Sequence, residues 1–153
     1  DLINPYRFQQ PISPNRAIRL AKKKISIKDY ISKSKLLPKN DYLIVEGAGG
    51  LYSPISTDGY NIDLIKKMKI PTILVAKDEI GVINNILLSL DLLKKYKISV
   101  LAIILNKINN LQPNGMDNYK DMKSLTKIPL IKINNTKTKN YKEFLKLLKI
   151  ISI

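Results

Sequence analysis

The chain has 153 residues, 44% of them apolar, which is one domain's worth and enough to bury a core. It holds no Cys and no His, so disulfides, thiolate or imidazole metal sites, Cys nucleophiles and His-based triads are excluded, and any metal must be bound by oxygen. Its formal charge of +15 comes with only three Arg and an even spread of Lys, and Lys, Ile and Asn, all with A/T-rich codons, supply 63 residues, so no nucleic-acid partner is expected. In chain order, the start Asp1-Leu2-Ile3-Asn4-Pro5 lacks the basic and apolar regions of a targeting peptide, so a cytoplasmic protein is expected. Ser13-Pro14 reads as an N-cap followed by proline at the first helical position, with Ala17, Ile18 and Ala21 behind it. A second helix is expected over Ile27 to Ser34. Short runs rich in Ile, Leu and Val predict buried parallel strands at Tyr42 to Glu46, Thr72 to Ala76, Val100 to Asn106 and Leu130 to Ile133. Helical patterns lie between and after them, at Ile62 to Lys67, Val82 to Tyr96, Tyr119 to Thr126 and Tyr141 to Ile151. A polar turn, Ile133 to Asn140, precedes the last helix, and no domain boundary stands out. No apolar run approaches the roughly 20 residues of a membrane span. Alternating strands and helices imply an α/β fold, with a parallel sheet covered by helices on both faces.

Three places are candidates for chemistry. Val45-Glu46-Gly47-Ala48-Gly49-Gly50 is a small-residue loop leaving a predicted strand, and ligands of open α/β sheets sit at that edge. Its glycines let backbone N–H groups approach phosphate oxygens, and a carboxylate closing an apolar strand needs a cation or donors, so Glu46 suits a Mg²⁺ or phosphate site. A plain strand-to-helix turn ending in Glu is the competing reading. Gly81-Val82-Ile83-Asn84 opens the long helix, whose free N–H groups suit a carboxylate. Asn106-Lys107 ends another strand, where the Asn amide could read a purine edge by paired donor and acceptor. The competing reading there is an Asn that starts a turn.

In this order and spacing the segments resemble dethiobiotin synthetases. Asn4-Pro5-Tyr6-Arg7-Phe8 with Pro11-Ile12-Ser13-Pro14 resembles that family's NPYxF…P-x-SP segment, Val45 to Gly50 with Pro54 its VEGAGG-x-x-x-P signature, and Gly81 to Asn84 its G-x-I-N helix start. The resemblance implies a doubly wound parallel sheet of P-loop NTPase type, with residues 1–153 expected as a single α/β domain that corresponds to the C-terminal two thirds of such an enzyme, its first strand, P-loop and helix absent from this chain. It also implies an ATP- and Mg²⁺-dependent cyclo-ligase of biotin synthesis, which closes a ureido ring on 7,8-diaminopelargonic acid with CO₂. In such enzymes a substrate amine becomes a carbamate, ATP phosphorylates it, and the second amine displaces phosphate. Carried over by position, Glu46 would bind Mg²⁺. Gly47, Ala48 and Gly49 would line the nucleotide phosphates and the substrate, and Asn106 with Lys107 would contact adenine. Ser13 and Pro14 would face the diamine, and Gly81, Val82, Ile83 and Asn84 would hold its carboxylate at a homodimer interface.

Departures bear on the same expectations. The six glycines give no G-x-x-x-x-G-K-[ST] match, so the phosphate loop and the catalytic Lys are expected to be missing from this chain, which would hold no catalytic residue and be inactive alone. Asn15 stands where the family has His, and Asn134 where it has Pro, which affects nucleotide contacts around Asn134 to Thr136. The other readings are a degenerate, non-catalytic dimerisation module and a ParA-like or cobyric-acid-synthase-like ATPase. A basic nucleic-acid binder would show DNA affinity falling steeply with salt.

Overall fold

Residues 4–35, 43–108, 112–134 and 141–151 are described by the structure, a computed structural model. They form two units, Asp1–Lys69 and Ile70–Ile153.

In the first unit, α1 spans Pro14–Leu20, α2 Ile27–Ser34 and α3 Asn61–Met68. Helix α2 begins at a capping box: the Ser26 hydroxyl accepts the Asp29 N–H, and the Asp29 carboxylate accepts the Ser26 N–H at 2.8 Å. Its first residue, Ile27, is buried with Ile55 and Leu64, and Tyr30, Ile31 and Met68 pack around them. The core of this unit therefore joins α2, α3 and the loop between them. Helix α3 stops at Lys69, whose φ of 55° turns the chain out of the helix.

The strand expected at Tyr42 to Glu46 is not formed. Tyr42 lies outside the described residues, and Leu43 to Glu46 is exposed chain without ladder pairing, Ile44 being 89% exposed. A run of Leu, Ile and Val becomes a strand only when a neighbour accepts its N–H and C=O groups. Among the described residues none does.

The second unit carries the alternation. Its elements are β1 (Thr72–Lys77), α4 (Val82–Lys95), β2 (Val100–Asn106), α5 (Asn118–Leu125), β3 (Leu130–Ile133) and α6 (Tyr141–Ile151). The strands are parallel in the order β1-β2-β3, with Lys77 opposite Asn106 and Asn106 opposite Ile133. Successive residues of β2 face opposite sides. Ile103 and Leu105 pack with Val82 and Ile86 of α4 and Met122 of α5, whereas Ala102 and Ile104 pack with Ile131, Leu147 and Ile150, the last two from α6. Both faces are covered, which is why β2 is apolar at every position down to Leu105. No helix among the described residues is long and apolar enough to cross a membrane.

Candidate functional site

The glycine-rich loop is held from beneath by the Asn61 side chain and lies close to Ser53. Asn61, the first residue of α3 and 5% exposed, donates from Nδ2 to the Ala48 carbonyl at 2.9 Å and to the Gly50 carbonyl at 2.8 Å. Its Oδ1 is buried without a hydrogen bond and lies against Gly47, where an added Cβ would come within 2.6 Å of it. Gly49 has a φ of +78°, and a Cβ there would meet the Ser53 hydroxyl. The small residues are thus required on the inner side of the loop by what they rest on. On the outer side, residues 43–50 are exposed, and the N–H groups of Gly47, Ala48, Gly49 and Gly50 have no partner among the described residues. The first N–H groups of α3 are spent: Asn61 donates to Ser53 and Ile62 to Leu51. That helix end binds the chain, so any anion here must use the loop.

Glu46 stands at the entry of this loop with its side chain in solvent. Burial therefore does not oblige it to find a cation, contrary to the expectation drawn from a strand-end carboxylate. It is available as one oxygen ligand. No group of three or more acidic residues that could hold a metal occurs among the described residues, so the loop does not form a cage for a free ion. One carboxylate does fit Mg²⁺ that arrives on phosphates, because that ion keeps most of its ligands as water and phosphate oxygen.

The start of α1 belongs to the same unit. Pro14 occupies the first helical turn, and Ser13 is the N-cap, but its hydroxyl makes no capping bond and is exposed. Asn15 fixes this helix start to the chain after the glycine loop, its N–H donating to the Pro54 carbonyl at 3.2 Å and its Nδ2 to the Ser56 carbonyl at 2.6 Å. The next residues form a tight bend in which Asp58 Oδ1 accepts from the Ile27 N–H and the Ser56 hydroxyl, both at 2.9 Å. The Ile27 N–H, and then the Ser56 hydroxyl, hold the Asp58 carboxyl below the usual Asp range. None of Asn15, Ser53 and Asn61 carries a signal in the hydrophobic pattern. The glycines at 47 and 49 were the only hint that something stood beneath them.

In the second unit, Gly81, Val82, Ile83 and Asn84 start α4 where β1 ends. Gly81 has a φ of +87° with open space around its Cα, so glycine is needed for backbone conformation. The Val82 N–H donates to the Glu79 carbonyl, whereas Ile83 and Asn84 present N–H groups without partners among the described residues. Asn106 and Lys107 lie at the same sheet edge. The Asn106 carbonyl accepts the Asp78 N–H at 2.9 Å and the Lys107 N–H donates to Ile133 at 2.8 Å, leaving the Asn106 side-chain amide unpaired among the described residues. Asn134 is exposed, and Asn135 and Thr136 lie outside the described residues.

A cavity of about 280 Å³ opens beside this edge, lined by Lys77 to Ile80 and by Gln112, Pro113 and Met116. Its floor is Asp78, 2% exposed at the side chain, whose Oδ1 accepts from Asn118 Nδ2 at 2.8 Å and whose Oδ2 lies 3.9 Å from Lys132 Nζ. Gln112 donates to the Asp78 carbonyl at 2.8 Å. Asp78 therefore ties the loop after β1 to α5 and β3.

Comparison with known proteins adds a second line of observation. A family model described as an AAA domain matches residues 1–135. A protein of Nitrosopumilus maritimus named ATP-dependent dethiobiotin synthetase BioD is 36% identical over 140 residues, covering 86% of this chain and 61% of the relative. Proteins of the same name from Methanococcus vannielii and Campylobacter jejuni are 34% and 39% identical, covering 95% and 89% of this chain and 70% and 65% of theirs. The chain spans about three fifths of the length of the first two relatives it matches.

Proposed function

This chain belongs to the dethiobiotin synthetase family, and from that premise we propose that it serves ATP- and Mg²⁺-dependent closure of a ureido ring on 7,8-diaminopelargonic acid with CO₂, giving dethiobiotin. The observation that carries the reading is the loop Gly47 to Gly50. It combines unpaired N–H groups with a free carboxylate at Glu46, which are the donors and the oxygen ligand that a magnesium-bearing polyphosphate uses.

In this reading the residues have separate tasks. Gly47, Ala48 and Gly49 line the phosphates and the reacting end of the substrate, and the free Ser13 hydroxyl beside Pro14 faces the diamine. The N–H groups of Ile83 and Asn84 receive the substrate carboxylate across a homodimer interface, and Gly81 and Val82 shape that turn. The Asn106 amide pairs with the adenine edge, with Lys107 beside it. Magnesium, when bound, supplies charge neutralisation on the phosphates, and Glu46 would hold it. These 153 residues contain no G-x-x-x-x-G-K-[ST] loop, so they lack the usual cradle and Lys for the γ-phosphate. Binding is accordingly proposed for the chain alone, and turnover for an assembly that supplies that cradle.

Calorimetric titration of the chain with 7,8-diaminopelargonic acid and with Mg·ATP tests this. Saturable binding of either is expected, with no dethiobiotin formed by the chain alone. Absence of both binding events removes the reading, and ring closure by these residues alone overturns the division of labour.

A further inference from the structure

A buried amide normally uses both its ends, and the Asn61 side chain uses only one. Its NH₂ group grips two carbonyls two residues apart, Ala48 and Gly50, while its Oδ1 is shut away against Gly47 without a donor. The orientation is settled by chemistry, since rotating the amide would point Oδ1 at two carbonyl oxygens. Leaving a buried acceptor unpaired is costly, and a helix start seldom places Asn in that position without a use for it. The use is visible in the loop. With the carbonyls of Ala48 and Gly50 drawn inward, the negative ends of two peptide dipoles are turned away from solvent, and the N–H groups of the exposed loop are left for an anion.

We propose that Asn61 is the positioning residue of the glycine loop, holding it in the anion-accepting conformation. It touches no ligand itself, and it acts through Ala48 and Gly50. Gly47 belongs to the same device, because only a residue without Cβ can lie on the Asn61 Oδ1. As far as the anion is taken to be the phosphates of Mg·ATP, the proposal rests on the function given above.

The experiment compares the full chain with Asn61→Ala, Gly47→Ala and the double variant, and uses Leu64→Ala as control. Leu64 is buried on the same helix but packs in the core with Ile27 and Ile55, so its truncation destabilises the unit without touching the loop. Backbone order at residues 47–50 is read from amide relaxation by nuclear magnetic resonance. In Asn61→Ala the order parameters of these amides are expected to fall from the level of rigid backbone to below about 0.6, while in Leu64→Ala they stay at the parent's level. Gly47→Ala should disturb the same amides strongly in the parent and little once Asn61 is Ala, a non-additive pair. Equal loop order in Asn61→Ala and Leu64→Ala, or strictly additive effects of the two substitutions, overturns the proposal.

Titration with Mg·ATP separates this claim from the functional reading. Shifts of the loop amides in the parent, weakened at least tenfold in Asn61→Ala and unchanged in Leu64→Ala, support both. No shift in the parent removes the nucleotide from the loop, and the order-parameter and coupling results then decide the role of Asn61 alone.

Discussion

Asn15 and Ser56 stand 41 positions apart, yet Asn15 Nδ2 meets the Ser56 carbonyl at 2.6 Å while the Asn15 N–H reaches Pro54. The pair fastens the start of α1 to the chain that leaves the glycine loop. Asn15→Ala should cost about 1 kcal/mol, the worth of one partly buried hydrogen bond. Asn15→His, which restores a donor of greater reach, should recover most of it. Chemical denaturation of the three proteins checks this, and equal stability of Asn15→Ala and parent would show the bond to contribute nothing.

Glu46 is exposed, so Glu46→Gln should leave the thermal midpoint unchanged. In the proposed site it removes the carboxylate ligand, and the affinity for Mg·ATP should fall about tenfold or more while the weak affinity for ATP in EDTA stays as it was. Calorimetry with and without magnesium makes the comparison. An equal affinity for Mg·ATP in both proteins would take Glu46 out of the metal site.

Asp58 gives the first unit a defined response to acid. Its folded pKa is depressed by the Ile27 N–H and the Ser56 hydroxyl, so its stabilising effect is complete above the ordinary Asp value of about 3.9 and is lost as pH falls through the lower folded value. Asp29, held low by the Ser26 N–H and then by the Ser26 hydroxyl, adds to the same window. Asp58→Asn should lower the melting temperature at pH 7 and flatten its decline below pH 4. A variant as acid-sensitive as the parent would assign the decline to other carboxylates.

Asp78 is the buried link of the second unit. Asp78→Ala leaves the Asn118 amide only its longer bond to the Glu79 carbonyl at 3.3 Å and Lys132 without its carboxylate, and should destabilise by about 1 to 3 kcal/mol. Asp78→Asn keeps the volume and can still meet Asn118, so its cost should be about half as large. Equilibrium unfolding distinguishes the two, and a neutral Asp78→Ala would contradict the network.

The sequence displays what depends on repeated apolar contact and conceals what depends on one neighbour. Ile27 to Ser34 and Val100 to Asn106 were readable to the residue, because Ile27 anchors one core and β2 is clamped on both faces. Leu43 to Val45 has the same composition as β2 and no ladder partner among the described residues, and composition cannot tell the two cases apart. In the site, Gly81 was readable as a helix start because its backbone conformation needs glycine. Asn61 was not, since its partners are carbonyls that every residue possesses and its place at a helix start looks like any polar surface position. Asn15 was read as a departure from a family pattern, and its bond to Ser56 depends on a chain reversal that no local spacing announces.

Leu43, Ile44 and Val45 stand side by side in solvent, with no proline or charge among them. In concentrated solution such a stretch is a template on which a second chain can lay down a strand, and then a third. What keeps the molecules apart is their mutual repulsion, at a formal charge of +15 each. Salt shortens the reach of that repulsion to about 8 Å at physiological strength and leaves the apolar attraction in place. Solutions of this protein should therefore stay clear at low ionic strength and turn cloudy as salt is added, and a single Ile44→Lys should keep them clear. Association through this stretch thus hangs on three neighbouring side chains and on the ions dissolved around them.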